Sequence, residues 1–122
     1  MSLGIILVSH VSEITTGITR LIREVAKDVS ITTAGGLEDN AIGTSFEKIM
    51  SAFEENDAET ILAFYDLGSA KMNLELAMDM TDKHVILYDT ALVESSYTAA
   101  ALIQAGADIE TIEEQLSELK VK

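Results

Sequence analysis

Apolar residues along this chain recur in two alternating periods. The run Leu3 to Ser9 is almost continuously apolar, the mark of a strand buried on both faces. Behind it Ile14, Ile18, Leu21, Ile22 and Val25 fall at i, i+4, i+7, i+8 and i+11, one stripe of an amphipathic helix. Val29 to Thr33 is a second, weaker strand of β-branched residues, and Ala34 to Gly43 is a loop with Gly35-Gly36 at one end. Thr44 is the expected N-cap of the next helix, with Glu47 reaching back in a capping box and Phe46, Ile49, Met50 and Phe53 on the buried face.

The alternation continues to the end of the chain. Asn56-Asp57 breaks the second helix, Thr60 to Tyr65 is a third strand, and Ala70 to Met80 is a helix rich in Met and Leu. His84 to Tyr88 is a fourth strand, followed by a helix from about Leu92 to Gln104. Gly106 suits the position just past that helix, and Asp108 caps a last one carrying Ile109, Ile112, Leu116 and Leu119. The order predicts one α/β domain over 1–122: an open, four-stranded parallel sheet, order 2-1-3-4, with helices on both faces.

Composition narrows the function. With 48% hydrophobic and 24% charged residues the chain is a compact globular type, and 122 residues bury about two thirds of the unfolded surface. The net charge of −13, from 21 acidic and eight scattered basic residues, repels phosphate backbones and anionic lipid. Neither nucleic acid nor a membrane is therefore an expected partner. The first apolar run is too short for a membrane span. Without cysteine there is no disulfide, no thiolate chemistry and no Cys-ligated zinc, which fits a cytoplasmic protein.

Right-handed crossovers carry all four strand C-termini to one edge. That edge gathers Ser9-His10, Thr33 to Ser45, Asp66 to Ser69 and Asp89-Thr90. In the 2-1-3-4 order, His10 and Asp66 face each other across the switch-point crevice, where open α/β sheets bind ligands. A carboxylate beside an imidazole fixes the tautomer and leaves the other nitrogen free to attack. Helix N-termini near Thr44-Ser45 and Ser69 add N–H groups suited to a phosphate.

Each residue also has a plainer reading: His10 as a polar strand cap, Asp66 as a helix cap, the glycines as ordinary loop residues. His84 opens strand four and belongs at the opposite edge, in a structural or surface role. Met72, Met78 and Met80 read as core filling before anything else, with Met72 nearest the crevice and so the first candidate for partner contact. Other chemistries lack their residues. No lysine precedes Thr44-Ser45 as a P-loop requires, no GxGxxG follows the first strand, and strand one ends without a receiver domain's acidic pair. Two histidines without clustered partners make no metal site. Phosphohistidine chemistry survives this comparison.

Three blocks at their spacing carry a family resemblance across essentially the whole chain. Gly4-Ile5-Ile6-Leu7-Val8-Ser9-His10-Val11-Ser12, Ala34-Gly35-Gly36 through Ile42-Gly43-Thr44-Ser45, and Asp66-Leu67-Gly68-Ser69-Ala70-Lys71-Met72-Asn73 resemble the DhaM-type phosphotransferase subunits of dihydroxyacetone kinase. More distantly, the domain is similar to the IIA domain of mannose-class sugar phosphotransferase systems. The resemblance implies that His10 accepts phosphate at Nε2 from phospho-HPr, itself charged by enzyme I and phosphoenolpyruvate. It implies delivery to ADP held on the DhaL subunit, which with DhaK phosphorylates dihydroxyacetone; this chain itself would hold no cofactor. Asp66 would hold the imidazole through Nδ1, and Ser9, Gly43, Thr44, Ser45, Gly68 and Ser69 would line the phosphate pocket. A homodimer is also implied, although no strand pattern follows Leu119 to supply the swapped strand of the mannose-class relatives. The third-strand block lacks the Gly-Gly-Ser-Pro run of the sugar branch, which leaves a mannose-type sugar component and a regulatory binding module of the same fold as the alternatives.

Overall fold

The β-branched and aliphatic residues of strand one are inaccessible from Gly4 to Ser9, and the rest of the fold is arranged to make them so. In the computed structural model, which describes residues 2–122, the strands are β1 (Leu3–Ser9), β2 (Ile31–Gly35), β3 (Thr60–Tyr65) and β4 (His84–Leu87). All pair in parallel in the order β2-β1-β3-β4, as the sequence predicts. The helices are α1 (Ser12–Arg23), α2 (Phe46–Glu55), α3 (Gly68–Met80), α4 (Leu92–Gln104) and α5 (Ile109–Leu116), with 3₁₀ turns at Glu38–Asn40 and Ser117–Leu119.

Alternate residues of the central strands divide the core in two. Ile5, Leu7, Leu62 and Phe64 pack with Ile18 and Ile22 of α1, Ala99 and Ala100 of α4, and Ile112 and Leu116 of α5. On the other face Ile6, Val8, Ile61, Ala63 and Tyr65 meet Ile49 and Phe53 of α2 and Leu74 and Ala77 of α3. This is the period-two alternation of a strand covered by helices on both sides.

Several local expectations shift. β2 begins at Ile31 and runs to Gly35, two residues beyond the predicted Val29–Thr33, because it pairs with β1 to that strand's end (Ser9 opposite Gly35). Val29 is instead buried ahead of the strand, in the core cluster with Ile18 and Ile22. Of the α1 stripe, Ile14 and Leu21 are exposed, Val25 lies past the helix end, and Thr15 takes a buried place with its hydroxyl donating to the Ser12 carbonyl. The Thr44–Glu47 capping box does not form: Ser45 is the N-cap, its Oγ accepting from Lys48 N, and Thr44 turns to α3. α3 starts at Gly68, two residues early. Met72 and Met80 are exposed, and of the three methionines only Met78 packs against the core. Asp108 and Gly106 take their predicted capping positions.

At the sheet edge opposite His10, Asn56 joins three elements. Its Nδ2 donates to the Ile5 carbonyl (3.0 Å) and Thr32 Oγ1 (3.1 Å), while its Oδ1 accepts from Ala58 N (3.1 Å). Gly4 must be glycine beside it, since an added Cβ would lie 2.5 Å from Asn56 Oδ1. Because Asn56 is buried, Asn56→Ala leaves these groups without partners and is expected to cost about 2–3 kcal/mol by urea denaturation. A loss under about 0.5 kcal/mol, the size of an ordinary surface change, contradicts that role.

Candidate active site

β1 ends at Ser9 and β3 at Tyr65 on neighbouring strands, so the next residues, His10 and Asp66, emerge side by side. The Asp66 carboxylate accepts four hydrogen bonds. Oδ1 takes His10 Nδ1 (3.0 Å) and Leu67 N (2.7 Å); Oδ2 takes Ser9 Oγ (2.8 Å) and His10 N (2.9 Å). Burial pushes the Asp66 carboxyl up, yet the donors from His10, Ser9 and Leu67 prevail and hold it below its ordinary value of 3.8. An ionised carboxylate only accepts, so Nδ1 carries a proton, and in the neutral ring Nε2 keeps its lone pair. Ser69 Oγ lies 2.6 Å from Nε2 and donates to it when the ring is neutral.

Ser69 stands in the first turn of α3, where N–H groups lack helical partners and the dipole is positive. This end of a 13-residue helix therefore suits an anionic oxygen at the place where Nε2 meets Ser69. The opposite wall comes from the loop after β2. Gly36 turns the chain at φ 68°, a conformation natural to glycine, and donates to the Ser9 carbonyl (3.0 Å). Gly43 donates to the His10 carbonyl (2.9 Å).

The structure thus brings His10, Asp66, Ser9 and Ser69 into direct contact. Ser9 is fully buried and spends its hydroxyl on Asp66, also accepting from Val11 N. Gly43 joins through its backbone. Thr44 joins through Asn73 of α3, whose Nδ2 donates to Thr44 Oγ1 (2.8 Å). Gly68 is the first residue of α3. Ser45 is committed to capping α2 and lines a cleft with Ser12, Thr15 and Lys48. Met72 is 73% exposed one turn beyond Ser69, and Leu67 and Ile42, also exposed, adjoin Asp66 and Gly43 in sequence. His84 lies at the far edge of the sheet, 3.1 Å from Thr60 Oγ1. Among the described residues, no His, Cys, Asp and Glu cluster is arranged to hold a metal.

One group at this edge escapes sequence reasoning. Asp89, after β4, accepts Tyr65 OH (2.6 Å) and Lys71 Nζ (3.0 Å). The bond from Tyr65 leads the effects that outweigh burial and hold the Asp89 carboxyl low. The Tyr65 phenol is pushed up by burial and by Asp89. Asp89 is legible as an edge residue; its partners are not, because they meet only through tertiary placement.

The family described as PTS system fructose IIA component matches residues 4–113. The chain belongs to this family. It is 52% identical over 122 residues to the PTS-dependent dihydroxyacetone kinase phosphotransferase subunit DhaM of Lactococcus lactis, covering 100% of this chain and 99% of that one. It is 42% identical to the phosphoryl donor subunit DhaM of PEP-dependent dihydroxyacetone kinase 1 of Listeria innocua, over 98% of this chain and 96% of the relative. A crystal structure of a protein of unknown function, EF1359, superposes with a TM-score of 0.86 at 33% identity, over 100% of this chain and 98% of that one.

The depressed Asp66 carboxyl fixes a pH dependence. A carboxyl whose folded value is lowered contributes stability that is present above its unfolded value and lost as pH falls through the folded one. The stability gap between the wild type and Asp66→Asn should hold steady above about pH 5 and shrink on acidification below about pH 4. A gap that stays constant through that range, in urea titrations at stepped pH, contradicts the assignment.

Proposed function

We propose that this chain is the phosphoryl donor subunit of a phosphoenolpyruvate-dependent dihydroxyacetone kinase, carrying the phosphoryl group on His10. The carrying observation is the imidazole fixed between Asp66 at Nδ1 and Ser69 at Nε2. Nε2 attacks the phosphorus of phosphohistidine on HPr in line. The new P–N bond forms as the HPr P–N bond breaks, and the proton stays on Nδ1, hydrogen-bonded to Asp66, throughout. Asp66 stabilises the positive charge on the phosphorylated ring, as a buried carboxylate does beside a catalytic imidazole. The Ser69 hydroxyl, no longer needed by Nε2, turns to a phosphoryl oxygen beside the α3 N-terminus.

In the second step a terminal oxygen of ADP attacks the same phosphorus, the His10 P–N bond breaks, and ATP forms. The nucleotide belongs to DhaL, which with DhaK phosphorylates dihydroxyacetone; this chain binds no cofactor of its own. The exposed apolar residues Ile42, Leu67 and Met72 beside the site support protein partners at both steps, since an open apolar rim suits a docking protein surface. The relatives named DhaM at 52% and 42% identity support the dihydroxyacetone branch over a sugar branch. The expected setting is the cytoplasm and the expected state a homodimer, which light scattering checks. Among the described residues no helix is long and apolar enough to cross a membrane.

Incubation with phosphoenolpyruvate, enzyme I and HPr should place one acid-labile phosphate on the wild type and none on His10→Ala. Labelling of His10→Ala contradicts the assignment. The phosphoprotein should convert DhaL-bound ADP to ATP; uptake without that transfer points to the sugar branch, and no uptake to a regulatory binding module. Asp66→Asn should fold but accept phosphate at least about 100-fold more slowly, by analogy with the loss when the orienting carboxylate of a catalytic histidine is amidated. An unchanged rate removes Asp66 from the mechanism. Substituting His84 should change the rate little.

A further inference from the structure

The chain beyond α5 folds back to the edge that carries His10. Leu119 accepts a hydrogen bond from Ala91 N (2.9 Å), Lys120 bridges Thr90 in antiparallel fashion, and Val121 N and Lys122 N both donate to the Asp89 carbonyl (3.2 and 3.3 Å). The run from Leu119 to Lys122 is therefore an arm laid along Asp89–Ala91. It delivers one side chain to the site's supports: Lys122 Nζ lies 4.0 Å over the Tyr65 ring and donates to the Tyr65 carbonyl (2.5 Å). That carbonyl belongs to the peptide joining Tyr65 to Asp66.

Asp89 ties the same group together from the other side. Its main chain holds the arm, and its carboxylate holds Tyr65 OH and Lys71 Nζ, with Lys71 two residues past Ser69 on α3. The segment from Asp66 to Ser69, which presents both groups that touch the His10 ring, is thus fastened at its start by Lys122 and beyond its end by Lys71.

Charge gives the arrangement a second consequence. In a chain of net charge −13, these two ammonium groups are held at the supports of the site, Lys122 at the Tyr65 carbonyl and Lys71 at Asp89, on the edge where a phosphoryl group would add further negative charge. Burial pulls the Lys122 ammonium below its ordinary range, while the carboxylates of Asp66 and Asp89 pull it back up.

We propose that Lys122 is a positioning residue for phosphoryl transfer, pinning the Tyr65–Asp66 peptide and supplying positive charge beside His10. This rests on the phosphocarrier reading above. It acts through Asp66 and the local field, without touching the incoming donor protein. Lysine at this position needs length and charge, both of which arginine provides.

The test compares the wild type, Lys122→Gln and Lys122→Arg, as full chains, in uptake of phosphate from phospho-HPr over a range of its concentrations. Lys122→Gln should lower the saturating rate about fivefold, the scale of one partly screened charge, with the KM for phospho-HPr within about twofold of wild type. Lys122→Arg should restore most of the rate. The expected far-UV dichroism and urea midpoint of Lys122→Gln are close to wild type, because the residue is at the surface. An unchanged rate in Lys122→Gln, an equal loss in Lys122→Arg, or a rise in KM alone overturns the assignment. Wild type without uptake overturns the carrier reading and this inference together; normal wild-type uptake beside any of those three results overturns this inference alone.

Discussion

Asp66 keeps a negative charge against the burial that opposes it, and it does so because four donors converge on its two oxygens. Two of them are main-chain N–H groups and one a buried hydroxyl, so the carboxylate is held from a rigid frame. The fourth is the His10 ring, which therefore has no choice of tautomer. The chemistry of the neutral ring follows from that constraint: a proton held at Nδ1, a lone pair at Nε2, and a serine that donates to it. The constraint depends on β1 and β3 being adjacent and in register, with Val8 opposite Tyr65. The buried double-faced core exists at this level of detail to keep that register.

The fold was largely legible in the residues, and for a physical reason. Strands buried on both faces read as continuous apolar runs, and Leu3 to Ser9 and Thr60 to Tyr65 are nearly pure examples. Right-handed crossovers then left little choice about which edge would hold His10 and Asp66. What failed was local. The stop of β2 is set by its partner β1 and not by its own β-branched residues, which is why Gly35 is in the strand. Thr44 and Ser45 are both good caps by composition, and the choice fell to Ser45 because Asn73, distant in sequence, occupies the Thr44 hydroxyl.

The site shows the same division. His10, Asp66 and Ser69 announce themselves by standing at strand ends and a helix start. Ser9 resembles a pocket-lining hydroxyl in sequence, yet structure makes it a buried support of Asp66. Met72 and Met80, which composition assigns to the core, are on the surface because α3 turns only Ala70, Leu74 and Ala77 fully inward. The contribution of Lys122 has no periodic signal at all. Its segment after Leu119 is too short to show a strand pattern, and a single bridge to Thr90 is enough to bring the ammonium to Tyr65.

The tautomer of one ring decides what this site can do. Long-range ¹H–¹⁵N correlation of the His10 imidazole in the unphosphorylated protein near neutral pH reports it directly. A protonated Nδ1 with an unprotonated Nε2 is the predicted pattern. A proton resident on Nε2 with a bare Nδ1 would contradict the account, because Asp66 would then be holding the ring by something other than its charge.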